Sequence, residues 1–597
     1  MLYNPLYKQF KSITGAVPAN KKLTIRVKGD FGSVVLLLRK DGHDFCMRFP
    51  MQKESDQFIT NLQLDRGLYF YYFEIEGGKF IGKGNYYSGE ITEKPCEYQL
   101  TVYDKDYTTP EWFKGGIIYQ IFPDRFCKSQ AVKQLPQDKV FRENWGETPY
   151  FLPNAQGEVL NNDFFGGDIQ GIISKLDYIA SLGVSCIYLN PIFLAYSNHR
   201  YDTANFLEID PILGDLEDFK SLIEQADKYG IKIVLDGVFN HTGSDSIYFN
   251  KKGKFNEKGA FQGKDSKYYD WFKFIDYPNK YESWWGIQTL PATNKGEGGF
   301  KEYITGKDGV IDFYTKLGIG GWRLDVVDEL PTDFVKSIRK TAKCVNKDAI
   351  IIGEVWEDAS NKIAYGVRRE YFQGKELDSV MNYPLKNAII DYVKNKNEKT
   401  LVSVILDQID HYPKFVLDSL MNILSTHDTF RLISALGDEK VYGKTKEQRS
   451  KITLSDEKLL QAKNSLKIAS LLQYTLCGVP SLYYGDEAGM QGYTDPLNRG
   501  CFPWGNEDLE LVEWYRLLGK IRRNNDAFIK GDFELIYSKK GCLIFKRLGD
   551  NEVMIAVNLG DEITLSFEGK LLNLLSSKIY VNEIVLKSGD MGVFVSR

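Results

Sequence analysis

The residues best equipped for chemistry lie in the stretch Gly320-Gly321-Trp322-Arg323-Leu324-Asp325-Val326-Val327-Asp328-Glu329. Arg323 and Asp325 alternate with apolar residues, and residues two apart on a strand point the same way, so guanidinium and carboxylate share a face. A neighbouring guanidinium favours the charged form of a carboxylate, and an ionised carboxylate held in place can serve as a nucleophile. Taken alone, an Arg two residues before an Asp is more often a structural ion pair. A second carboxylate, Glu354, ends the apolar run 349–353 and is followed by Val355 and Trp356. Apolar surroundings raise a carboxyl pKa, which suits a proton donor. Polar residues also end two other apolar runs: Asp236, Asn240 and His241 after 232–235, and Ser425, Thr426, His427 and Asp428 after 421–424. One ionised and one protonated carboxylate facing a sugar are the minimum equipment for cleaving a glycosidic bond.

Something must bring these scattered ends together. From about residue 110 apolar strands alternate with amphipathic helices, with strands expected at 116–122, 184–189, 232–236, 321–326, 349–354, 379–383, 421–425 and 481–484. Helices are expected at 172–182, 216–229, 308–317, 331–345, 460–476 and 509–523. Eight such units close into a (β/α)8 TIM barrel, an α/β fold whose chemistry sits at the C-terminal ends of its strands. The expected domains are an N-terminal β-sandwich at 1–108, a catalytic barrel at 109–526 and a C-terminal β-sandwich at 527–597. An insertion at 242–306, rich in Gly, Lys, Tyr and Trp and without clear periodicity, follows strand 3 and is expected over the active face. Within it Trp284 and Trp285 are open between loop packing and ligand contact. For the N-terminal β domain, carbohydrate binding, dimer contact and simple packing against the barrel all stay open.

Charge and cysteine usage bound the partners. With 76 Lys+Arg against 80 Asp+Glu, a formal charge of -4 carries no polybasic footprint for nucleic acid or an anionic membrane. No run approaches the ~20 apolar residues of a membrane span. The start of the sequence has no apolar export segment, and the eight cysteines show no CxxC spacing, so the expected compartment is the cytoplasm.

The motifs Asp236-Gly-Val-Phe-Asn-His241, Gly321-Trp-Arg-Leu-Asp325, Glu354-Val-Trp356 and Thr426-His-Asp428, in this order, resemble the signature regions of the α-amylase family of retaining glycoside hydrolases. Further matches are Asp163-Phe-Phe-Gly-Gly-Asp168, Asn198-His-Arg-Tyr-Asp202, Gly478-Val-Pro-Ser-Leu-Tyr-Tyr-Gly-Asp-Glu487 and Asp495-Pro-Leu-Asn-Arg499. With the N-terminal β domain they resemble the neopullulanase, cyclomaltodextrinase and maltogenic amylase branch. The resemblance implies Asp325 as nucleophile, Glu354 as general acid then base, and Asp428 as a third carboxylate on the sugar hydroxyls. It further implies Arg323 orienting Asp325, His241 and His427 on the sugar at subsite -1, and Tyr201 stacked beneath it. Asp495 and Arg499 would hold the next sugar, and Trp356 would offer a face on the leaving-group side. The implied partner is an α-glucan oligosaccharide, and a homodimer through the N-terminal domain stays open.

Two departures bear on that reading. Many relatives hold calcium near the first barrel loop, but here the run 126–133 carries Lys128 and Lys133 in place of an Asn- and Asp-rich ligand set. No cofactor is therefore expected to be required; calcium stays open although its usual ligand run is not matched, and no metal ligand is assigned. The loop Leu290-Pro-Ala-Thr-Asn294 and Glu357 also differ from the branch pattern at leaving-group subsites, leaving α-1,4 against α-1,6 preference open. Two rival functions remain: a 4-α-glucanotransferase, which differs in whether sugar or water resolves the covalent intermediate, and a non-catalytic glucan-binding or partner protein.

Overall fold

Strands covered by helices on the outside and by side chains on the inside must be apolar on both faces. Eight segments meet that demand in the computed structural model, which describes residues 1–597 apart from 130–138, 156, 158, 438–440 and 442. They are β1 (Ile118–Ile121), β2 (Cys186–Leu189), β3 (Lys232–Gly237), β4 (Gly321–Leu324), β5 (Ile350–Gly353), β6 (Ser379–Val380), β7 (Met421–Ile423) and β8 (Val479–Tyr483). All pair in parallel, in the order β6-β5-β4-β3-β2-β1-β8-β7. A parallel bridge between Met381 and Met421, with the Asn382 N–H donated to the Met421 carbonyl, links β6 to β7 and completes the barrel. Ile118, Tyr188, Val234, Ile350, Ile352, Met421 and Val479 fill the interior, and Ile187, Ile233, Trp322, Leu324 and Ile351 belong to the larger core outside. Gly321 is required at the start of β4. A Cβ there would sit 2.0 Å from the Ile350 carbonyl oxygen.

The surrounding helices follow the sequence pattern with local changes. Leu509–Arg523 and Thr332–Val345 stand where expected, the latter burying Phe334, Val335, Ile338 and Ala342. The helix expected at 172–182 is broken into Ile169–Ile173 and Leu176–Ser181, with Lys175 out of helical geometry between them. Helices Tyr383–Asn395 and Glu398–His411, between β6 and β7, were not singled out by periodicity.

Two sheets, of seven and three strands, make up the N-terminal region around an aromatic core of Tyr3, Phe10, Tyr71, Phe73 and Tyr98. They meet the barrel through a fully buried ion pair, Lys11 Nζ to Asp410 at 2.7 Å, and through Gln99, which bonds both Ser360 (2.9 Å) and Asn361 (2.8 Å). At the other end six antiparallel strands, from Asp532–Lys539 to Met591–Ser596, form one continuous ladder. A register shift between Ser566 and Lys570 interrupts its long strand Ile563–Asn573. One face joins the main core through Leu543, Phe545 and Val593, and the other holds its own cluster of Ile544, Ala556, Ile584 and Phe594.

The segment 242–306 lacks periodicity because aromatic contacts do the packing. Phe249 lies against Phe272, Phe274 and Tyr281 at centroid distances of 4.9, 5.8 and 4.7 Å. Trp271 is buried against Phe300 and Tyr303.

Candidate active site

Barrel strands alternate inward and outward, so the inward series on β4 runs Gly321, Arg323, Asp325 and that on β5 runs Ile350, Ile352, Glu354. The register sets Arg323 beside Asp236 on one side and Ile352 on the other. Asp325 and Glu354 are thus the next inward positions beyond the layer of Asp236, Arg323 and Ile352, at the C-terminal mouth.

Arg323 is fully buried and binds three carboxylates: Asp236 at 2.8 Å, Asp325 at 3.0 Å and Glu354 at 2.7 Å. Asp236 is completely enclosed and also accepts from Tyr188 (2.7 Å) and Tyr201 (2.8 Å). Its place is behind the site. The Asn240 amide clamps the Asp325 carbonyl at 2.7 Å, and the left-handed backbone of Val326 (φ 38°) aims its N–H at Glu354 Oε2, 2.9 Å away. Trp356 Nε1 donates to Glu354 Oε1 at 3.0 Å while its ring stacks on Tyr383 at 3.8 Å.

These groups open on one cavity of about 1360 Å3. Tyr201, His241, Asp325, Glu354, Trp356, His427, Asp428, Asp495 and Arg499 all line it, with Arg323 directly behind. Tyr201 lies parallel to the His427 ring at 5.3 Å, and Arg499 approaches Asp428 at 3.4 Å. Gln120 donates its amide to His427 Nδ1 (2.8 Å), placing the imidazole proton on Nε2, which faces Tyr201 and Asp428. Gln120 and Tyr188 were missed from sequence. The available signal was a lone polar or hydroxyl group within an apolar strand.

The electrostatics correct the sequence reading in two places. Glu354 was expected in apolar surroundings, yet its carboxyl accepts from a guanidinium, a backbone N–H and an indole. The β4 turn and Trp356 supply those donors, and neither shows in hydrophobicity. Asp325 was expected to be ionised by Arg323. Burial instead drives its pKa well up, Arg323 pulls it down, and Glu354 and Asp236 push it up again. Like charges around one cation do not all ionise easily, and the charged form of Asp325 is the one that Arg323 favours. Desolvation in the cleft pushes Asp428 up to about 7 against the pull of Arg499, although 34% of its side chain is exposed. Both histidines are held neutral. His241 falls to about 3 through burial and Lys295, and His427 falls well below its ordinary value through burial, Arg499 and Arg323.

Trp284 lies tilted against His241 (5.1 Å) and stacks on Trp285 (5.0 Å), and both indoles line the cavity. Of the run 126–133, residues 130–133 lie outside the described residues. The nearby carboxylates are already engaged. Asp124 accepts from Arg125 (2.6 Å) and from the Phe165 and Gly166 N–H groups, and Asp163 from Tyr150 N–H (2.9 Å) and Asn198 (2.9 Å). Calcium takes six to eight oxygens, and these carboxylates already accept from protein donors. Among the described residues no three His, Cys, Asp or Glu side chains converge as a metal site.

Fold and site together define a (β/α)8 barrel with a cluster of carboxylates at its C-terminal mouth. Residues 120–527 match the alpha-amylase catalytic domain, and the chain belongs to the alpha-amylase family. It is 34% identical to an amylopullulanase from Thermoanaerobacter thermohydrosulfuricus over 98% of its own length, though it covers 44% of that protein. It is 32% identical to a cyclomaltodextrinase from Thermoanaerobacter pseudethanolicus, covering 88% of this chain and 86% of that one. The chain spans less than half the length of the amylopullulanases it matches. The structure of the type III pullulan hydrolase from Thermococcus kodakarensis shares the fold over 100% of both chains (TM-score 0.70, 24% identity).

Proposed function

We propose that this protein hydrolyses α-glucosidic bonds, with retention, in malto-oligosaccharides, cyclodextrins or pullulan. The observation that carries this is a single guanidinium, Arg323, binding Asp325 with one terminal nitrogen and Glu354 with the other. That arrangement sets two carboxyl groups side by side, as a retaining pair spaced ~5 to 5.5 Å requires. Asp325, as the carboxylate that Arg323 favours, attacks the anomeric carbon, and Glu354 gives its proton to the leaving oxygen and later takes one from water. Asp428 and neutral His241 and His427 bind the sugar hydroxyls, Tyr201 lies beneath the ring, and Asp495 and Arg499 hold the next unit. No metal is needed for these steps. The two relatives named cyclomaltodextrinase and amylopullulanase support the substrate class. Eight unpaired cysteines suit a reducing compartment such as the cytoplasm. No helix among the described residues is long and apolar enough to cross a membrane.

Transfer to a sugar acceptor is the second reading, favoured by exposed aromatic faces at the cavity, Trp356 and Trp285. Both readings are tested by incubating the protein with pullulan, cyclodextrin and maltotriose, with and without a chelator. Panose from pullulan means α-1,4 cleavage and maltotriose from pullulan means α-1,6 cleavage. Products longer than supplied maltotriose mean transfer, and no product from any of the three overturns both readings. Activity is expected to be the same with chelator.

Asp428 makes a pH prediction. Sugar hydroxyls donate to carboxylate, so the ionised form binds, and a pKa of about 7 leaves the neutral form dominant in acid. kcat/KM is expected to fall as pH drops below about 7. In Asp428→Asn this acid limb should move to lower pH on top of a uniform loss; a limb that stays in place assigns it to another group.

A further inference from the structure

We infer that the cavity contains an additional glucosyl subsite centred on Tyr196 and Asp245. This rests on the glucan reading above and specifies how far along the chain the protein holds its substrate.

Two loops that supply the described site also supply a second set of groups. The hairpin of Phe193–Ala195 with Thr203–Ile209, which delivers Tyr201, also carries Tyr196. The segment after β3 delivers His241 and, four residues on, Asp245. Both new residues line the same cavity as the carboxylate pair, as do Val159, Leu160 and Phe255. At about 1360 Å3 the cavity exceeds the ~300–1,000 Å3 of a usual small-molecule pocket, which leaves room beyond the sugars at the bond cleaved.

The chemistry of this lobe suits a neutral polyhydroxyl compound. The Asp245 side chain is 12% exposed, and its Oδ1 is buried without a hydrogen-bond partner, while Lys252 and Lys254 approach Oδ2 at 3.2 and 3.7 Å. The same two ammonium groups lie 5.4 and 5.0 Å from the Tyr196 ring centroid. Donors and an unsatisfied acceptor therefore converge beside an aromatic ring. Glucose hydroxyls both give and accept hydrogen bonds, and the apolar body of an aromatic ring accommodates a sugar's C–H face. A buried carboxylate oxygen left without a donor is unfavourable, and a sugar hydroxyl would satisfy it.

The test is kcat/KM of the full chain on maltotriose through maltoheptaose. Wild type is expected to gain with chain length. Tyr196→Ala and Asp245→Asn are expected to lose about tenfold on maltoheptaose, the worth of one charged hydrogen bond, and less than about twofold on maltotriose. Tyr196→Phe, which keeps the ring, should retain most of the gain, and thermal melting verifies that each variant is folded. A wild type active on maltotriose but indifferent to length, or variants losing the same factor at both lengths, overturns the subsite and leaves the hydrolytic reading intact. No cleavage of any member by wild type overturns both.

Discussion

Glu354→Gln is expected to lower kcat on maltotriose by ~10²–10⁴-fold, the usual contribution of a positioned acid or base. The amide keeps the shape and can still meet Val326 N–H or Trp356 through its oxygen, but it cannot give up a proton as a carboxylic acid does. The loss should depend on the leaving group. Maltosyl fluoride departs without protonation, so its first step should be nearly unaffected. Azide, a nucleophile that needs no deprotonation, should then restore turnover and give maltosyl azide of α configuration. An inverted azide, or equal losses on fluoride and maltotriose, would remove Glu354 from the acid-base role. A binding protein would keep its glucan affinity and show no turnover change, because it would have none to lose.

Arg323→Met is expected to abolish activity and to cost about 3–5 kcal/mol of barrel stability, the range for breaking a buried ion pair from one side. The guanidinium is fully buried among Asp236, Asp325 and Glu354, and no other cation bonds those carboxylates among the described residues. Without it Asp236 and Asp325 are driven to take up protons, since desolvation already opposes their charge. Asp236 and Asp325 have folded pKa values raised above their unfolded ones, so their ionisation costs stability as pH rises above the unfolded carboxylate range. Removing Arg323 lifts them further, and the penalty should grow between pH 5 and pH 8. Chemical denaturation at those two pH values measures it. A pH-independent penalty would mean that lost packing, rather than charge, dominates.

Much of this was legible in the chain. Parallel strands buried on both faces have to be continuous apolar runs, so all eight stood out, and period-two alternation put Arg323 and Asp325 on one face. The helices between β6 and β7 were less visible. Glu398–His411 buries Glu398, Gln408, Asp410 and His411 beside its apolar residues, because it packs against the N-terminal sheets and the C-terminal strands as well as the barrel. Polar burial of that kind blurs a helical stripe. The aromatic segment 242–306 was unreadable for a related reason, since ring-to-ring contacts carry no fixed sequence period.

By itself the sequence determined which residue types end which strands, and hence that carboxylates, imidazoles and aromatic rings meet at one mouth. Only the tertiary structure decided how they are charged and to whom they are bonded. Three carboxylates from β3, β4 and β5 share one guanidinium, and Glu354 sits among donors rather than in an apolar wall. The physical reason is range. Alternation along a strand is a local property of the backbone, whereas a pKa reflects every charge and dipole within several ångströms, contributed by loops hundreds of residues apart.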